Sequence, residues 1–292
     1  MTKKLFCFGY GYTAGAFAKR LQTTGWRIAG TTTSPDKAAG MVAEDIEAHV
    51  WNDNAHFDPR WLADASAILV STPPDETGCP ALRAACGAIA ERAGALDWFG
   101  YLSTNGVYGD HGGAWVDEES ELRANTPPAT WRIEAEKAWA GLADECGLNA
   151  MIFRLPSIYG PGRSTLDRVR EGVARRIVKE GQVFNRMHVE DIAAALAASM
   201  TAPPAHRIYN LADDEPSPPQ DVIEHACRLL GVEAPPVIPF EDAKLSPMAK
   251  RFYANNKRVS NARMKRAFDV TLHYPSYREG LEAILNCESG EA

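Results

Sequence analysis

Apolar residues in the first half of the chain fall in short runs separated by stretches of helical period. Leu5 to Phe8, Arg27 to Thr31, Ala48 to Trp51, Ala67 to Ser71, Trp98 to Leu102 and Ala150 to Arg154 are such runs, each bounded by Gly, Pro, Asp or Asn. Runs of this length read as strands, and their alternation with helices predicts repeated βα units and a parallel sheet. Between Ala81 and Gly94, Leu82, Ala85, Cys86, Ile89 and Ala93 recur at steps of three and four, giving a helix with one buried face. A weaker stripe predicts another helix over Thr130 to Cys146, with Pro127-Pro128 marking its start.

Beyond Arg154 the pattern changes to Pro- and Gly-rich loops. A hairpin is expected from Arg176 to Lys179 and Val183 to Arg186 around Glu180-Gly181. Helical stripes follow at Ile192 to Met200, Val222 to Leu230 and Tyr277 to Leu285. Pro203-Pro204, Pro216 to Pro219 and Pro235-Pro236 read as connectors.

The composition, 45% hydrophobic and 24% charged over 292 residues, is that of a globular protein with a sizeable core. A net charge of -7 argues against a phosphate backbone as partner, so nucleic acid is not expected. Six scattered cysteines without a C-x-x-C pair indicate neither a zinc site nor a disulfide framework. Gly9 and Gly11 cut the first apolar run short of a signal sequence, and no run reaches membrane-span length. Together these features point to the cytoplasm, with no membrane partner.

Gly9-Tyr10-Gly11-Tyr12-Thr13-Ala14-Gly15 follows the first strand and opens a helix, which is the context a dinucleotide fingerprint requires. Gly9 would allow the tight turn, Gly11 a close approach of backbone N–H groups to a pyrophosphate, and Ala14 close packing of helix on strand. Tyr12 and Thr13, at the helix start, join the candidate cofactor contacts. Gly30-Thr31-Thr32-Thr33-Ser34 ends the second strand without a carboxylate, and Lys37 is nearby. Hydroxyls and a cation suit a 2′-phosphate, so the pattern favours NADP, with NAD as the alternative; a turn merely capped by these hydroxyls would look the same. Ser71 and Thr72, before Pro73-Pro74, stand where the nicotinamide half would pass.

Three later motifs fall in order: Leu102-Ser103-Thr104-Asn105-Gly106-Val107-Tyr108-Gly109, Arg154 to Arg163 (RLPSIYGPGR), and His188-Val189-Glu190-Asp191-Ile192-Ala193. With Tyr209-Asn210-Leu211-Ala212 and the segments Ser260 to Arg263 and Tyr274 to Leu281, the chain resembles the extended short-chain dehydrogenase/reductase family, the NAD-dependent epimerase/dehydratase group. The resemblance covers nearly the full length. It implies a Rossmann-type doubly wound sheet (residues 1–155 and 187–212) and a smaller, discontinuous substrate region (156–186 and 213–292). It also implies a homodimer through the helices after strands four and five.

Members of the resembled family use a Ser or Thr, a Tyr, and a Lys four residues after the Tyr. Thr104 matches the first by its spacing from Val107-Tyr108-Gly109. No tyrosine lies between Tyr108 and Tyr159, so the pair is lost. One register places Thr130 and Glu134 at its positions, another Pro128 and Arg132, and Arg132 could bond the cofactor ribose. A Y-x-x-x-K at Tyr253 to Lys257 lies far downstream and reads as a coincidence. Tyr108 is a substitute catalyst, Tyr159 and His188 are further candidates at the substrate, and Arg163 and Arg186 could clamp a phosphate or carboxylate. Arg154 is a third such arginine. Asp191 is expected to cap its helix. The reading is an atypical NAD(P)-dependent epimerase, dehydratase or reductase on a small polar or nucleotide-linked substrate, without a metal. The alternative is a dinucleotide-binding sensor without turnover.

Overall fold

The computed structural model describes residues 2–52, 56–202 and 205–290; the connector Pro203-Pro204 lies outside them. The first half contains β1 (Lys4–Phe8), α1 (Tyr12–Gln22), β2 (Arg27–Thr32), α2 (Pro35–Ala43), β3 (Ile46–Val50), β4 (Ala67–Val70), α3 (Pro80–Arg92), β5 (Trp98–Thr104), β6 (Trp115–Val116) and α4 (Pro127–Cys146). The second contains β7 (Ala150–Leu155), β8 (Ser157–Tyr159), α5 (Thr165–Arg170), β9 (Arg176–Val178), β10 (Arg186–His188), α6 (Val189–Ser199) and β11 (Ile208–Asn210). It closes with α7 (Pro219–Leu229), β12 (Val237–Pro239), α8 (Pro247–Tyr253), β13 (Arg258–Val259), α9 (Ala262–Phe268) and α10 (Tyr277–Ser289).

Seven strands form one sheet in the order β11-β7-β5-β4-β1-β2-β3, and every pairing in it is parallel. Both faces are covered, which is why the strands read as near-continuous apolar runs. Leu5 and Cys7 of β1 face a core shared with Phe17 of α1 and Ile192 and Leu196 of α6. Phe6 and Phe8 face the opposite core, with Ile89 of α3 and Trp139 of α4. The six predicted strands all form, with ends shifted by a residue or two.

The expected hairpin does not form. Its turn is real, with Gly181 at φ +70°, but the arms part company. β9 pairs in parallel with β12 and β10 in parallel with β8. Gln182 and Asn185 bind the backbone of 255–259 instead of a facing strand: Gln182 Nε2 donates to Asn255 O, Asn185 Nδ2 to Lys257 O, and Val259 N to Asn185 Oδ1. The smaller lobe packs α5, α7 and α10 around Leu166, Val222 and Leu281. Its expected extent, 213–292, is too wide, because Met264 and Phe268 of α9 join Phe153 and Tyr209 in the main core.

Among the described residues no helix is long and apolar enough to cross a membrane, and no group of three or more His, Cys, Asp and Glu side chains could hold a metal.

Candidate functional site

The sheet order reverses at β1, whose neighbours are β2 and β4. In open α/β sheets the crevice beyond the carboxyl ends of the strands at such a point is where ligands settle. Here it holds a pocket of about 390 Å³ lined by Gly9, Gly11, Thr31, Thr32, Thr33, Ser71 and Thr72, together with Lys37, Trp51 and Asn52. Seven of the residues assigned to the cofactor from sequence therefore meet in one place.

Local bonding explains the turn. Gly9 has φ +81°, a left-handed conformation open to glycine, and an added Cβ would lie 3.0 Å from Thr72 Cγ2. Gly9 N donates to Thr31 Oγ1 at 2.8 Å, and Ser71 Oγ donates to Gly9 O at 3.0 Å. Thr31 and Ser71 thus hold the turn. α1 starts at Gly11 with no side-chain cap, so its first N–H groups lack intrahelical partners and favour an anion. Thr72 Oγ1 is buried without a partner, while Thr33 and Lys37 are exposed. Turn, uncapped helix start, unpaired hydroxyl and cation fit a dinucleotide phosphate chain. Ser34 caps α2 by accepting from Lys37 N.

Two other assigned cofactor residues sit apart. Thr13 is buried in the first turn of α1. Tyr12 Oη donates to Pro161 O at 3.0 Å, and the Arg163 guanidinium lies 5.6 Å over the Tyr12 ring. This pair ties α1 to the loop after β8.

At the end of β5 a second pocket, about 400 Å³, is lined by Thr104, Pro128, Arg132, Asn185, Arg251 and Lys257, among others. Pro128 and Arg132 therefore occupy the pocket, whereas Glu134 is paired with Lys137 on the outer face of α4. Geometry selects the second of the two sequence registers. Thr104 Oγ1 accepts from Gly106 N at 3.1 Å, which leaves its own proton free to donate. Arg132 Nη1 donates to Leu102 O at 2.6 Å and Tyr101 Oη at 3.2 Å. Sequence reasoning missed Lys257 and Asn185, because they reach Thr104 only through the long return of the chain.

Tyr108 must be corrected. Its ring is fully buried; its hydroxyl donates to Asn210 Oδ1 at 2.7 Å and accepts from Arg154 Nη1 at 3.0 Å. Burial pushes its phenol up to about 12, against the opposing pull of Arg154. It belongs to a buried network in which Arg154 Nε and Nη2 donate to Glu136, and Ser103 Oγ donates to Glu136 Oε1 at 2.5 Å. Arg154, taken from sequence as an anion clamp, is spent on that carboxylate. Asp191 does not cap α6 either. Its carboxylate accepts from His273 N and Tyr274 N, each at 2.8 Å, and the cap is His188, whose Nδ1 accepts from Glu190 N. His188 is itself buried between Tyr159 and Tyr274, outside the lining of either of these two pockets, and burial lowers its pKa.

A third cavity, about 850 Å³, lies between the lobes' loops and shares Ser157, Phe184 and Phe252 with the Thr104 pocket. Tyr159, Arg163 and Arg186 line it, joined by Arg168, Arg175 and Lys244. Tyr159 Oη donates to Ser276 O at 3.2 Å, and burial pushes its phenol up. Arg186 Nη1 donates to Phe184 O and Ser217 O. Its other guanidinium nitrogens have no bond in this arrangement to Asp213, whose buried carboxylate oxygens lack partners and whose pKa burial raises well above the usual range.

Fold and crevice together define a doubly wound α/β protein of the Rossmann type. Residues 84–212 match the model of the NAD dependent epimerase/dehydratase family. A functionally unknown conserved protein from Silicibacter pomeroyi DSS is 45% identical in sequence, with a TM-score of 0.90 over 100% of both chains. Protein YeeZ of Escherichia coli (strain K12) is 28% identical over 245 residues, 80% of this chain and 86% of that one. The UDP-glucuronic acid 4-epimerase from Bacillus cereus in complex with NAD shares the fold, with 15% identity and a TM-score of 0.75 over 99% of this chain and 100% of that one.

Proposed function

We propose that the chain is an NAD(P)-dependent enzyme that interconverts a carbonyl and a hydroxyl on a small, anion-bearing substrate, with Thr104 at the reacting oxygen. The observation that carries this reading is the convergence of Gly9, Gly11, Thr31 to Thr33, Ser71 and Thr72 on one pocket at the switch point of the sheet. Lys37 beside the three threonines supports NADP over NAD. A bound nicotinamide supplies or accepts hydride at the substrate carbon. The chain's own residues do the rest. The Thr104 hydroxyl donates to the substrate oxygen, and Arg132 adds a fixed positive charge beside it, which favours negative charge developing there. The five cationic side chains of the adjoining cavity, against Asp167 and Glu171, support a phosphate- or carboxylate-bearing substrate.

Binding without turnover is the second reading, favoured by the absence of any tyrosine from the lining of the Thr104 pocket. A parallel fluorescence titration with NADPH and NADH tests the first half of the proposal, because Trp51 lines the pocket and reports directly. Saturable quenching in the micromolar range is expected, tighter for NADPH. No response to either dinucleotide refutes both readings.

A further inference from the structure

The Thr104 pocket offers several hydrogen-bond donors, yet most of its lining cannot exchange a proton. Among the described residues its charged side chains are Arg132, Arg251 and Lys257, and no Asp, Glu, His, Cys or Tyr lines it. A guanidinium stays protonated throughout the working range, so it attracts an oxyanion without acting as acid or base. Lys257 differs. The residue is only 6% exposed, and Nζ donates to a single acceptor, Gly109 O at 3.0 Å. An ammonium carries three N–H groups.

Its backbone is firmly held. Asn185 brackets it, Nδ2 donating to Lys257 O at 3.0 Å and Oδ1 accepting from Val259 N at 2.7 Å. β13, directly after it, pairs with β6, and Asn256 N donates to Asp110 Oδ1 at 2.8 Å. Asp110 favours the ammonium, and the other charged side chains lining the same pocket are Arg132 and Arg251. Burial outweighs Asp110 and brings the amine from its ordinary 10.5 down to about 8.

We propose that Lys257 is the proton-exchanging residue of this pocket, its Nζ giving a proton to, or taking one from, the substrate oxygen held by Thr104. The inference rests on the reading of this pocket as the reaction centre. In the reducing direction one Nζ–H bond breaks and one O–H bond forms, leaving a neutral amine; the hydride equivalent comes from a reduced nicotinamide dinucleotide. The lysine enters from the second lobe, on an element unrelated to the helix that carries the family's tyrosine and lysine.

The test has two arms on the full chain. In the first, 13C-labelled lysine side chains are titrated by NMR, with the Lys257 resonance assigned by its loss in Lys257→Met. A midpoint near pH 8 is expected; a midpoint at the ordinary 10.5 overturns the proposal. In the second, NADPH oxidation is followed from pH 6 to 10 on a panel of short aldehydes, ketones and α-keto acids. Wild-type turnover should fall through the same midpoint. Lys257→Met should lower kcat by about 100-fold or more with little change in KM. Lys257→Arg, which keeps a donor for Gly109 O, should not restore it. A Lys257→Met variant with the wild-type rate and pH profile overturns the proposal alone. So does a dinucleotide-binding chain that turns over nothing on the panel. A chain that binds no dinucleotide removes the functional reading beneath it, a result the titration of Lys257 does not depend on.

Discussion

Replacing Glu136 by Gln removes one charge from a pair whose side chains are only 3% and 5% exposed. Glu136 accepts from Arg154 Nε and Nη2 and from Ser103 Oγ. Gln keeps the shape but turns one acceptor into a donor that faces other donors, and the Arg154 guanidinium is left buried without its counter-charge. Breaking a buried pair on one side costs about 3–5 kcal/mol, because an uncompensated ion remains. With a urea m-value of about 3 kcal/mol/M, the unfolding midpoint should fall by roughly 1 to 1.7 M at unchanged slope. The same helix carries its own control. Lys137 and Glu134 pair at 2.9 Å with 67% and 62% exposure, and Lys137→Ala should cost less than about 0.5 kcal/mol. In a double-mutant cycle, Glu136→Leu with Arg154→Leu should be less destabilising than the two single changes added, by about 2 kcal/mol or more. A loss below about 1 kcal/mol for Glu136→Gln, or strict additivity in the cycle, would refute the argument that this pair docks α4 on β5 and β7.

Three further outcomes are expected. Lys37→Glu should weaken NADPH binding at least tenfold and NADH binding less than threefold, measured by Trp quenching; equal losses would remove Lys37 from 2′-phosphate recognition. Gly280→Ala places a methyl group on the ring and hydroxyl of Tyr159 and should cost about 1–3 kcal/mol of overpacking, read as a lower melting temperature; an unchanged melting temperature would show that Tyr159 is free to move. Lys257 also makes a pH prediction. Its folded value of about 8 lies below the ordinary 10.5, so between those values the unfolded chain binds more protons and stability rises with pH. Relative to Lys257→Met, wild type should gain up to about 3 kcal/mol across that window, at about 1.4 kcal/mol per tenfold; parallel pH–stability curves for the two proteins would contradict it.

The sheet is legible in the sequence because its strands are buried on both faces, which leaves uninterrupted apolar runs such as Leu5 to Phe8. The cofactor turn is legible because its parts lie within a few residues of a strand end. What fails is whatever depends on partners far along the chain. The turn at Gly181 is local and correct, but its arms follow Asn185 and Gln182 to residues 255–259, and no local pattern announces that. Tyr108 looks available beside Thr104, yet Arg154 and Asn210, 46 and 102 residues away, take its hydroxyl. Asp191 resembles a cap because it opens a helix, while its partners are His273 and Tyr274. The Tyr253-to-Lys257 spacing is a coincidence as a motif. Its two halves point to different cavities, Tyr253 to the larger one and Lys257 to Thr104. A lysine followed by Arg258-Val259 in an extended segment carries no sequence mark of burial.

The layout of α4 separates the positions that dock the helix from those that line the pocket. Ala135, Trp139 and Ala143 pack the helix inward and Glu136 ties it to Arg154, whereas Pro128, Ala129 and Arg132 line the pocket. Pro128 is exposed and contributes little to docking, so replacing it alters chemistry more than stability. Pro128 is tolerated there because the first turn has no intrahelical acceptor for its missing N–H. Arg132 retains a charge at that height and anchors it to Leu102 O. The proton-exchanging function can then be relocated to Lys257, whose frame of β6, β13 and Asn185 is independent of α4. Substituting a tyrosine at position 128 alone would therefore restore a residue type without its cation partner, and a phenol lacking that partner keeps a pKa near 10. Pro128→Tyr paired with Arg132→Lys should restore a pH profile only partly dependent on Lys257, whereas Pro128→Tyr alone should leave the Lys257 dependence intact.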